Sequence, residues 1–188
     1  IILGPEMKST GEVMGADDQF GKAFAKAQMG AGTPLPVAGN VFVSVRDEDK
    51  CHVGEIGKTL QDLGFSVFAT QGTAVELRGA GVAVSTLGKI SEGSPNIVEM
   101  IERGAVALVI NTPSGKNPRR DEVLIRSLAV ARGVPCITTI PGALASISGI
   151  RAQRAGNLHV MSLQEHYAYS VVAGDASIQA AASGVGDG

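Results

Sequence analysis

Several predicted turns of this 188-residue chain combine hydroxyl groups, glycines and lysines, the residue types that bind a phosphate. The run Thr70-Gln71-Gly72-Thr73 places two hydroxyls and a glycine at a predicted strand-to-helix turn. The free backbone N–H groups at the start of a helix bind anions. Lys50 and Lys89, which follow two other predicted strands, would add point charges. Together these turns predict an oxyanion site.

Each of these features also has a simpler explanation. A Thr-x-Gly-Thr run is common in turns, and a lone lysine after a strand is usually a solvated surface charge. Asn111 would serve as the cap of the turn that follows it, and Thr138 and Thr139 suit ordinary strand positions. The anion site is favoured because five such turns are expected to converge at one edge of one sheet.

Short runs rich in β-branched residues alternate with amphipathic segments through the middle of the chain. The runs predicted as strands are Val41–Val45, Phe65–Ala69, Val82–Leu87, Val106–Ile110 and Pro135–Thr139. Five repeats of strand and helix predict an open, doubly wound α/β domain, with a parallel five-stranded sheet and helices on both faces. Ligands of such sheets bind beyond the carboxyl ends of the strands, where the turns above lie.

Apolar spacing predicts which faces of the helices point inward. The expected inner residues are Val53, Ile56, Leu60 and Leu63, then Val123, Leu124, Leu128 and Ala131, and in an N-terminal helix Phe20, Ala23, Phe24 and Ala27. Gly64 is a predicted C-cap, Ser94-Pro95 a predicted helix start, and Ser162 to Glu165 a capping-box signature.

Composition divides the chain into three zones. Residues 1–38 hold a Gly-rich opening, a helix predicted over Asp17 to Gln28, and a linker with Pro and Gly. Residues 39–170 hold the α/β domain, and residues 171–188 are small or polar and predicted to be disordered. The chain starts with Ile rather than Met, which we interpret as a piece of a longer polypeptide.

Composition also excludes several functional classes. The net charge of −2 creates no global field for nucleic acid or membrane, and no apolar run reaches the roughly 20 residues that span a bilayer. Cys51 and Cys136 match no zinc or redox spacing and are predicted to be reduced thiols. The three histidines lack a metal or nucleophile partner, so we expect no catalytic residue and no metal site.

The turns resemble, in order and spacing, the effector domain of carbamoyl phosphate synthase large subunits, which has the methylglyoxal-synthase-like fold. The resemblance covers about residues 39–168, and its motifs are Ser44–Lys50, Ala69–Thr73, Lys89, Ile110–Gly115 and Thr138-Thr139. Residues 4–15 resemble the end of the ATP-grasp domain that precedes this domain in the family, and free-standing members of the fold lack that string.

The resemblance implies that residues 39–170 form a regulatory domain that binds a nucleotide such as UMP or IMP and performs no chemistry. It assigns Lys50, Thr70, Gly72, Thr73 and Lys89 to the effector phosphate, Asn111 and Thr112 to the nucleoside, and Asp121 and Thr138 to an amino-acid effector such as ornithine. Pro113 stands where the family commonly has a second hydroxyl residue, and Gln71 where it often has His.

For the parent enzyme, the resemblance implies glutamine-dependent carbamoyl phosphate synthesis for the pyrimidine and arginine pathways in the cytoplasm. ATP and Mg or Mn would serve the parent enzyme, and this fragment would hold no cofactor. Its expected partners are the nucleotide, the preceding ATP-grasp domain of the same chain and a small glutaminase subunit. Self-association into a homo-oligomer is compatible with the sequence, whereas nucleic acid and membrane are not expected partners.

Two alternatives from other classes remain open. A lyase similar to methylglyoxal synthase would need a carboxylate base close to dihydroxyacetone phosphate. The turn Asn111 to Ser114 carries no acid, and the turn after the third strand offers only Glu92, so the sequence disfavours this activity. A pure oligomerisation module would leave the converging Thr, Lys and Asn turns unexplained.

Overall fold

The structure is a computed structural model that describes residues 13–88, 90, 94–114, 120–156, 158–159, 162 and 164–165. The chain divides into two compact units, Ile1–Gly156 and Asn157–Gly188. The string at residues 4–15 falls largely outside the described residues. Lys89, Glu92 and the predicted tail at 171–188 fall wholly outside them.

The first unit is built around a five-stranded parallel sheet. Its strands are β1 Asn40–Ser44, β2 Ser66–Thr70, β3 Val84–Leu87, β4 Leu108–Asn111 and β5 Cys136–Ile137. Their order is β3-β2-β1-β4-β5, so the chain winds outward from β1 in one direction and then in the other. The predicted doubly wound fold is confirmed, and every predicted strand lies within two residues of an observed one.

Six helices and one 3₁₀ helix accompany the sheet in the described part of the chain. They are α1 Phe20–Gly30, the 3₁₀ helix Asp47–His52, α2 Val53–Asp62, α3 Gln71–Gly79, α4 Ile97–Glu102, α5 Arg120–Ala131 and α6 Ile140–Arg154. No helix of the described residues has the length and apolar character that a membrane span requires.

Alternation along the strands divides the interior into two cores. Val41 and Val43 of β1 point to one face, where they pack with residues of α2, α3 and α6. Phe42 points to the other face, where it packs with residues of α4 and α5. Because both faces are covered, the middle residues of the central strands β1 and β4 are apolar, as is typical of parallel sheets. The sheet thereby becomes a rigid base for the turns at its carboxyl edge.

The helix predictions are confirmed best in α2. Val53, Ile56 and Leu60 are buried, as their spacing predicts, and Leu63 is packed against the same core. Gly64 follows with φ of +73°, the left-handed conformation that ends a helix and favours glycine. In the second unit, Ser162 Oγ accepts from the Glu165 N–H at 3.2 Å, and Glu165 accepts from the Ser162 N–H at 2.7 Å. The capping box is therefore also confirmed.

The predicted inner face of α5 is wrong for three of its four residues, since only Leu128 packs against the core. Val123 and Leu124 are each 46% exposed and Ala131 is exposed, whereas Ile125 and Ala129 are buried against the sheet. Apolar residues occupy more than one face of this helix, so their spacing fits two phases. Packing against Phe42 and Val109 of the sheet selects the phase that buries Ile125.

Two predicted helix starts also need correction. Helix α4 begins at Ile97 rather than at Pro95, because Asn96 is its N-cap and accepts from the Glu99 N–H at 3.2 Å. Helix α1 begins at Phe20, not Asp17, and it buries Gly21 and Ala25. Phe20 was expected inside but is 68% exposed.

Helix α1 lies against α6, a 15-residue helix that the sequence analysis did not predict. The two backbones approach closely, because a Cβ at Gly21 would lie 2.7 Å from the Ser148 carbonyl oxygen. A Cβ at Gly149 would likewise lie 3.4 Å from the Gly21 carbonyl oxygen. Glycines at the contact therefore decide which face of α1 points inward, which explains the error at Phe20. The assignment of residues 1–38 to a preceding domain stays a prediction.

Candidate functional site

A cleft of about 510 Å³ opens at the carboxyl edge of the sheet, around the point where the chain switches from one side of β1 to the other. It is lined by Phe42, Ser44, Val45, Asp47, Lys50, Thr70, Gln71, Gly72, Thr73, Thr86, Leu87, Gly88, Ile90, Ile97, Asn111, Thr112, Ser114, Asp121, Glu122 and Ile125. Its position agrees with the rule for ligands of open α/β sheets, and its volume suits a small organic ligand.

The turn from β2 into α3 forms one end of the cleft. Thr70 ends the strand and is the N-cap residue of α3, but its side chain makes no capping hydrogen bond. Its hydroxyl lies instead 3.3 Å from Ser44 Oγ and 3.3 Å from Thr73 Oγ1. Among the described residues, the first N–H groups of α3 therefore receive no capping side chain from Thr70, and they lie at a helix start, where the helix dipole favours an anion.

Lys50 brings a positive charge to the same turn. A Cβ at Gly72 would lie 3.2 Å from Lys50 Nζ, so the ammonium group sits over the first turn of α3. Glycine at position 72 is what permits this close approach. Lys50 Nζ also lies 2.7 Å from Asp47 Oδ1, one turn earlier in the 3₁₀ helix. The positive charge of Lys50 and the start of α3 therefore lie close together in the cleft.

Two buried threonines hold the loop between β1 and the 3₁₀ helix. Thr73 Oγ1 accepts from the Val45 N–H at 3.2 Å, and Thr112 Oγ1 accepts from the Arg46 N–H at 3.0 Å. These threonines are only 1% and 2% exposed, respectively. Their hydroxyls accept hydrogen bonds from two consecutive N–H groups and so fix the loop that leads to Lys50.

Asn111 ends β4 beside the same loop. It is 1% exposed, and its Oδ1 atom has no hydrogen-bond partner among the described residues. A buried acceptor without a partner costs about 1–3 kcal/mol, so such atoms call for an explanation. Asn111 lines the cleft, and an N–H or O–H group of a ligand would satisfy its oxygen.

Three carboxylates also line the cleft among the described residues. Asp47 comes from the 3₁₀ helix, and Asp121 and Glu122 come from the first turn of α5. Glu122 accepts from the Ser114 N–H at 3.2 Å and from its hydroxyl at 2.5 Å. This pair ties the loop after β4 to α5.

Most of the predicted site residues lie together. Those that line the cleft are Lys50, Thr70, Gly72, Thr73, Asn111, Thr112 and Asp121. Thr138 is exposed and lies outside the set of lining residues, so the cleft does not bring it together with Asp121. Lys89 falls outside the described residues. Within the described part of the chain, no group of three His, Cys, Asp or Glu residues is placed to hold a metal ion.

The sequence analysis did not assign Ser44, Ser114 or Glu122 to the site. The place of Ser44 in the cleft follows from the strand register, because Ser44 is the register partner of Asn111 at the ends of β1 and β4. Glu122 gives no such signal, because its place depends on the phase of α5.

Comparisons with known proteins agree with this geometry. The MGS-like domain family matches residues 52–138. The chain is 50% identical over 165 residues to the "Carbamoyl phosphate synthase large chain, C-terminal section" of Methanocaldococcus jannaschii, covering 87% of this chain and 27% of that protein. It is 48% identical over 171 residues to the carbamoyl phosphate synthase large chain of Rhodopirellula baltica, covering 91% of this chain and 16% of that one.

Among solved structures, the crystal structure of methylglyoxal synthase from Elizabethkingia anophelis has a similar fold. The TM-score is 0.50 at 18% identity, over 61% of this chain and 80% of that one. This likeness supports the fold alone. The chain spans about a quarter of the first relative and about a sixth of the second. Residues 52–138 therefore belong to the MGS-like domain family, and over most of its length the chain is close to half identical to the C-terminal section of carbamoyl phosphate synthase large chains.

Proposed function

We propose that this chain is the effector-binding regulatory domain of a glutamine-dependent carbamoyl phosphate synthase, and that its cleft binds a nucleoside monophosphate such as UMP or IMP. The observation that carries the proposal is the convergence of Lys50, the start of α3 and the Asn111 amide on one cleft at the switch point of the sheet. The similarity to carbamoyl phosphate synthase large chains supports the same assignment.

The phosphate would bind at the start of α3. There the N–H groups of Gly72 and Thr73 would donate to its oxygens, and Lys50 would supply the charge. The Thr70 hydroxyl lies at the same turn and would donate a further hydrogen bond. Lys89, in the turn after β3, is proposed as a second cation. The phosphate would therefore interact both with fixed dipoles and with lysine charge.

The nucleoside would lie across the end of β4. Asn111 Oδ1 would accept from a ribose hydroxyl or a base N–H, which would relieve its lack of a partner. Thr112 follows it along the cleft, and Ile97 and Ile125 provide an apolar wall for the base. Ornithine would use Asp121, which lines the same cleft, and Thr138, which does not.

In this proposal the domain regulates and does not catalyse. Two of the three carboxylates in the cleft already have partners, since Asp47 pairs with Lys50 and Glu122 accepts from Ser114. A lyase reaction on dihydroxyacetone phosphate is the alternative, and it would need one of them as a free base. Formation of methylglyoxal by the purified chain would support that alternative, and we expect none.

The remaining functions belong to the parent enzyme. It would use ATP with Mg or Mn and ammonia from a small glutaminase subunit, and it would feed pyrimidine and arginine synthesis in the cytoplasm. The regulatory domain would act on the preceding ATP-grasp domain of the same chain. To change its rate, the nucleotide must bind one conformation of the synthetase more tightly than another.

Calorimetric titration of the chain with UMP and with IMP tests the proposal. Lys50→Ala removes a charged contact to phosphate and should lower affinity about tenfold to hundredfold. Lys58→Ala is the matched control, because Lys58 is exposed on α2 and does not line the cleft. Failure of the folded chain to bind either nucleotide, or equal binding by Lys50→Ala, would rule the proposal out.

A further inference from the structure

Among the described residues that line the cleft, which do not include Lys89, carboxylates outnumber cations, and this is unexpected for an anion site. Among the described residues that line it, Lys50 is the only cation, whereas Asp47, Asp121 and Glu122 are carboxylates. A ligand with one phosphate group can place its charge on Lys50 and the α3 amides. A ligand with several phosphates brings more negative charge into a cleft that already holds these carboxylates.

Asp47 is the carboxylate that pairs with Lys50, the lysine proposed to bind the phosphate. Its Oδ1 lies 2.7 Å from Lys50 Nζ, and Lys50 Nζ in turn lies over Gly72. The ammonium group is thus close both to the Asp47 carboxylate and to the start of α3. The Asp47 side chain is 90% exposed, so its carboxylate stands at the open mouth of the cleft. Any chain of phosphates that leads out from the α3 turn along this side would pass it.

We propose that Asp47 sets the charge selectivity of this site: it shares Lys50 with the bound phosphate and excludes nucleoside diphosphates and triphosphates in favour of monophosphates. The inference rests on the proposed function, because it concerns the same cleft. Two like charges at the mouth repel each other, and the repulsion grows with each phosphate of the ligand. The same carboxylate weakens the binding of a single phosphate less, since Lys50 Nζ lies 2.7 Å from Asp47 Oδ1 and its charge offsets part of the repulsion.

The test compares UMP with UTP, and IMP with ITP, by calorimetry in EDTA so that no divalent cation masks the triphosphate charge. Asp47→Asn keeps the size of the side chain and removes its charge. Glu48→Gln is the matched control, because Glu48 is the next residue, is 76% exposed and does not line the cleft. Both side chains are exposed, and circular dichroism of each variant checks that the fold is retained.

We expect Asp47→Asn to bind the triphosphate about fivefold more tightly relative to the monophosphate than the unmodified chain does, which corresponds to one exposed charge interaction of about 1 kcal/mol. Glu48→Gln should change this ratio less than about twofold, and 0.5 M salt should diminish the effect of Asp47→Asn.

Three results would overturn the inference while leaving the proposed function intact. The affinity ratio is unchanged in Asp47→Asn, or Glu48→Gln shifts it equally, or Asp47→Asn weakens monophosphate binding as strongly as Lys50→Ala does. The last result would mean that Asp47 positions Lys50 instead of competing for it. If the unmodified chain binds neither UMP nor IMP, the proposed function and this inference fail together.

Discussion

Asn111 is the register partner of Ser44 at the ends of β4 and β1, yet its buried Oδ1 has no hydrogen-bond partner among the described residues. Burial of an acceptor without a partner ordinarily lowers the stability of the folded state. A ligand that donates a hydrogen bond to Asn111 Oδ1 would give this atom a function, because ligand binding would then form the hydrogen bond that folding does not.

Asn111→Leu should therefore separate binding from stability. Leucine is of similar size and removes the unpaired acceptor, so we expect the free energy of unfolding in urea to stay within about 1 kcal/mol of the unmodified value. Nucleotide affinity should fall by about tenfold, because the ligand donor loses its acceptor. A loss of several kcal/mol in stability together with normal affinity would show that Asn111 is structural.

Gly72→Ala tests the close approach of Lys50 to α3. The new Cβ would lie 3.2 Å from Lys50 Nζ, and the flexible lysine can move away, so we expect the fold to be retained. Displacement of the ammonium group should lower UMP or IMP affinity about tenfold in calorimetry. Gly79→Ala is the matched control at the other end of α3, where a Cβ meets nothing within 4 Å. Equal affinity of the two variants would contradict this geometry.

Thr112→Val removes the acceptor of the Arg46 N–H. Valine has the same shape, so the change tests the hydroxyl alone, and the unpaired donor should cost about 1–3 kcal/mol in urea unfolding. Thr112→Ser keeps the hydroxyl and should retain most of the stability. Nucleotide affinity should fall in Thr112→Val and recover in Thr112→Ser, because the loop held by this bond leads to Lys50. A valine variant as stable as the unmodified chain would contradict this role.

Gly21→Ala tests whether α1 belongs to the folded unit of the sheet. The added Cβ would lie 2.6 Å from Ser148 Oγ and 2.7 Å from the Ser148 carbonyl oxygen. We expect a loss of about 1–3 kcal/mol in the free energy of unfolding from overpacking. Gly30→Ala at the end of α1 is the control, since its Cβ would make only an ordinary contact 3.6 Å from Val13. Equal stability of both variants would mean that α1 is not firmly packed.

The environment of Asp17 predicts that the stability of the folded chain depends on pH. Its side chain is 9% exposed and lies 2.6 Å from Lys26 Nζ. Burial acts to raise the pKa of Asp17, but hydrogen bonds from Asp18 and Lys26 and the Lys26 charge outweigh it, so the pKa lies well below its usual range. A lowered folded-state pKa contributes stability above the unfolded value near 3.9, and this contribution is lost as the pH falls below it.

Thermal unfolding between pH 6 and pH 2.5 measures this contribution. Asp17→Asn should be less stable than the unmodified chain at pH 6, and the difference should shrink as the pH falls through the acidic range. A constant difference across that range would show that the Asp17 charge does not matter to folding.

Much of the site was predictable because strand ends determine it. Thr70 and Asn111 follow runs of β-branched residues, and parallel strands bring their carboxyl ends to the same edge of a sheet. No knowledge of side-chain contacts was needed to place these residues near each other. Lys50 follows from the same argument, since its 3₁₀ helix begins three residues after β1 ends.

The features that sequence did not predict depend on packing. Helix α6 is rich in small residues, such as Ala143, Ala145 and Gly149, which give a weak periodic signal even though all three are buried. The carboxylate of Glu122 enters the cleft only because Ile125 and not Val123 faces the sheet. The ion pair of Asp47 with Lys50 depends on side-chain rotamers, which residue spacing does not determine.

A crystal structure of the chain grown with UMP or IMP tests the central claim most directly. The account predicts phosphate oxygens within hydrogen-bond distance of Lys50 Nζ and of the Gly72 and Thr73 N–H groups, with a ribose or base donor on Asn111 Oδ1. A nucleotide bound away from the start of α3, or an empty cleft at saturating nucleotide, would contradict it.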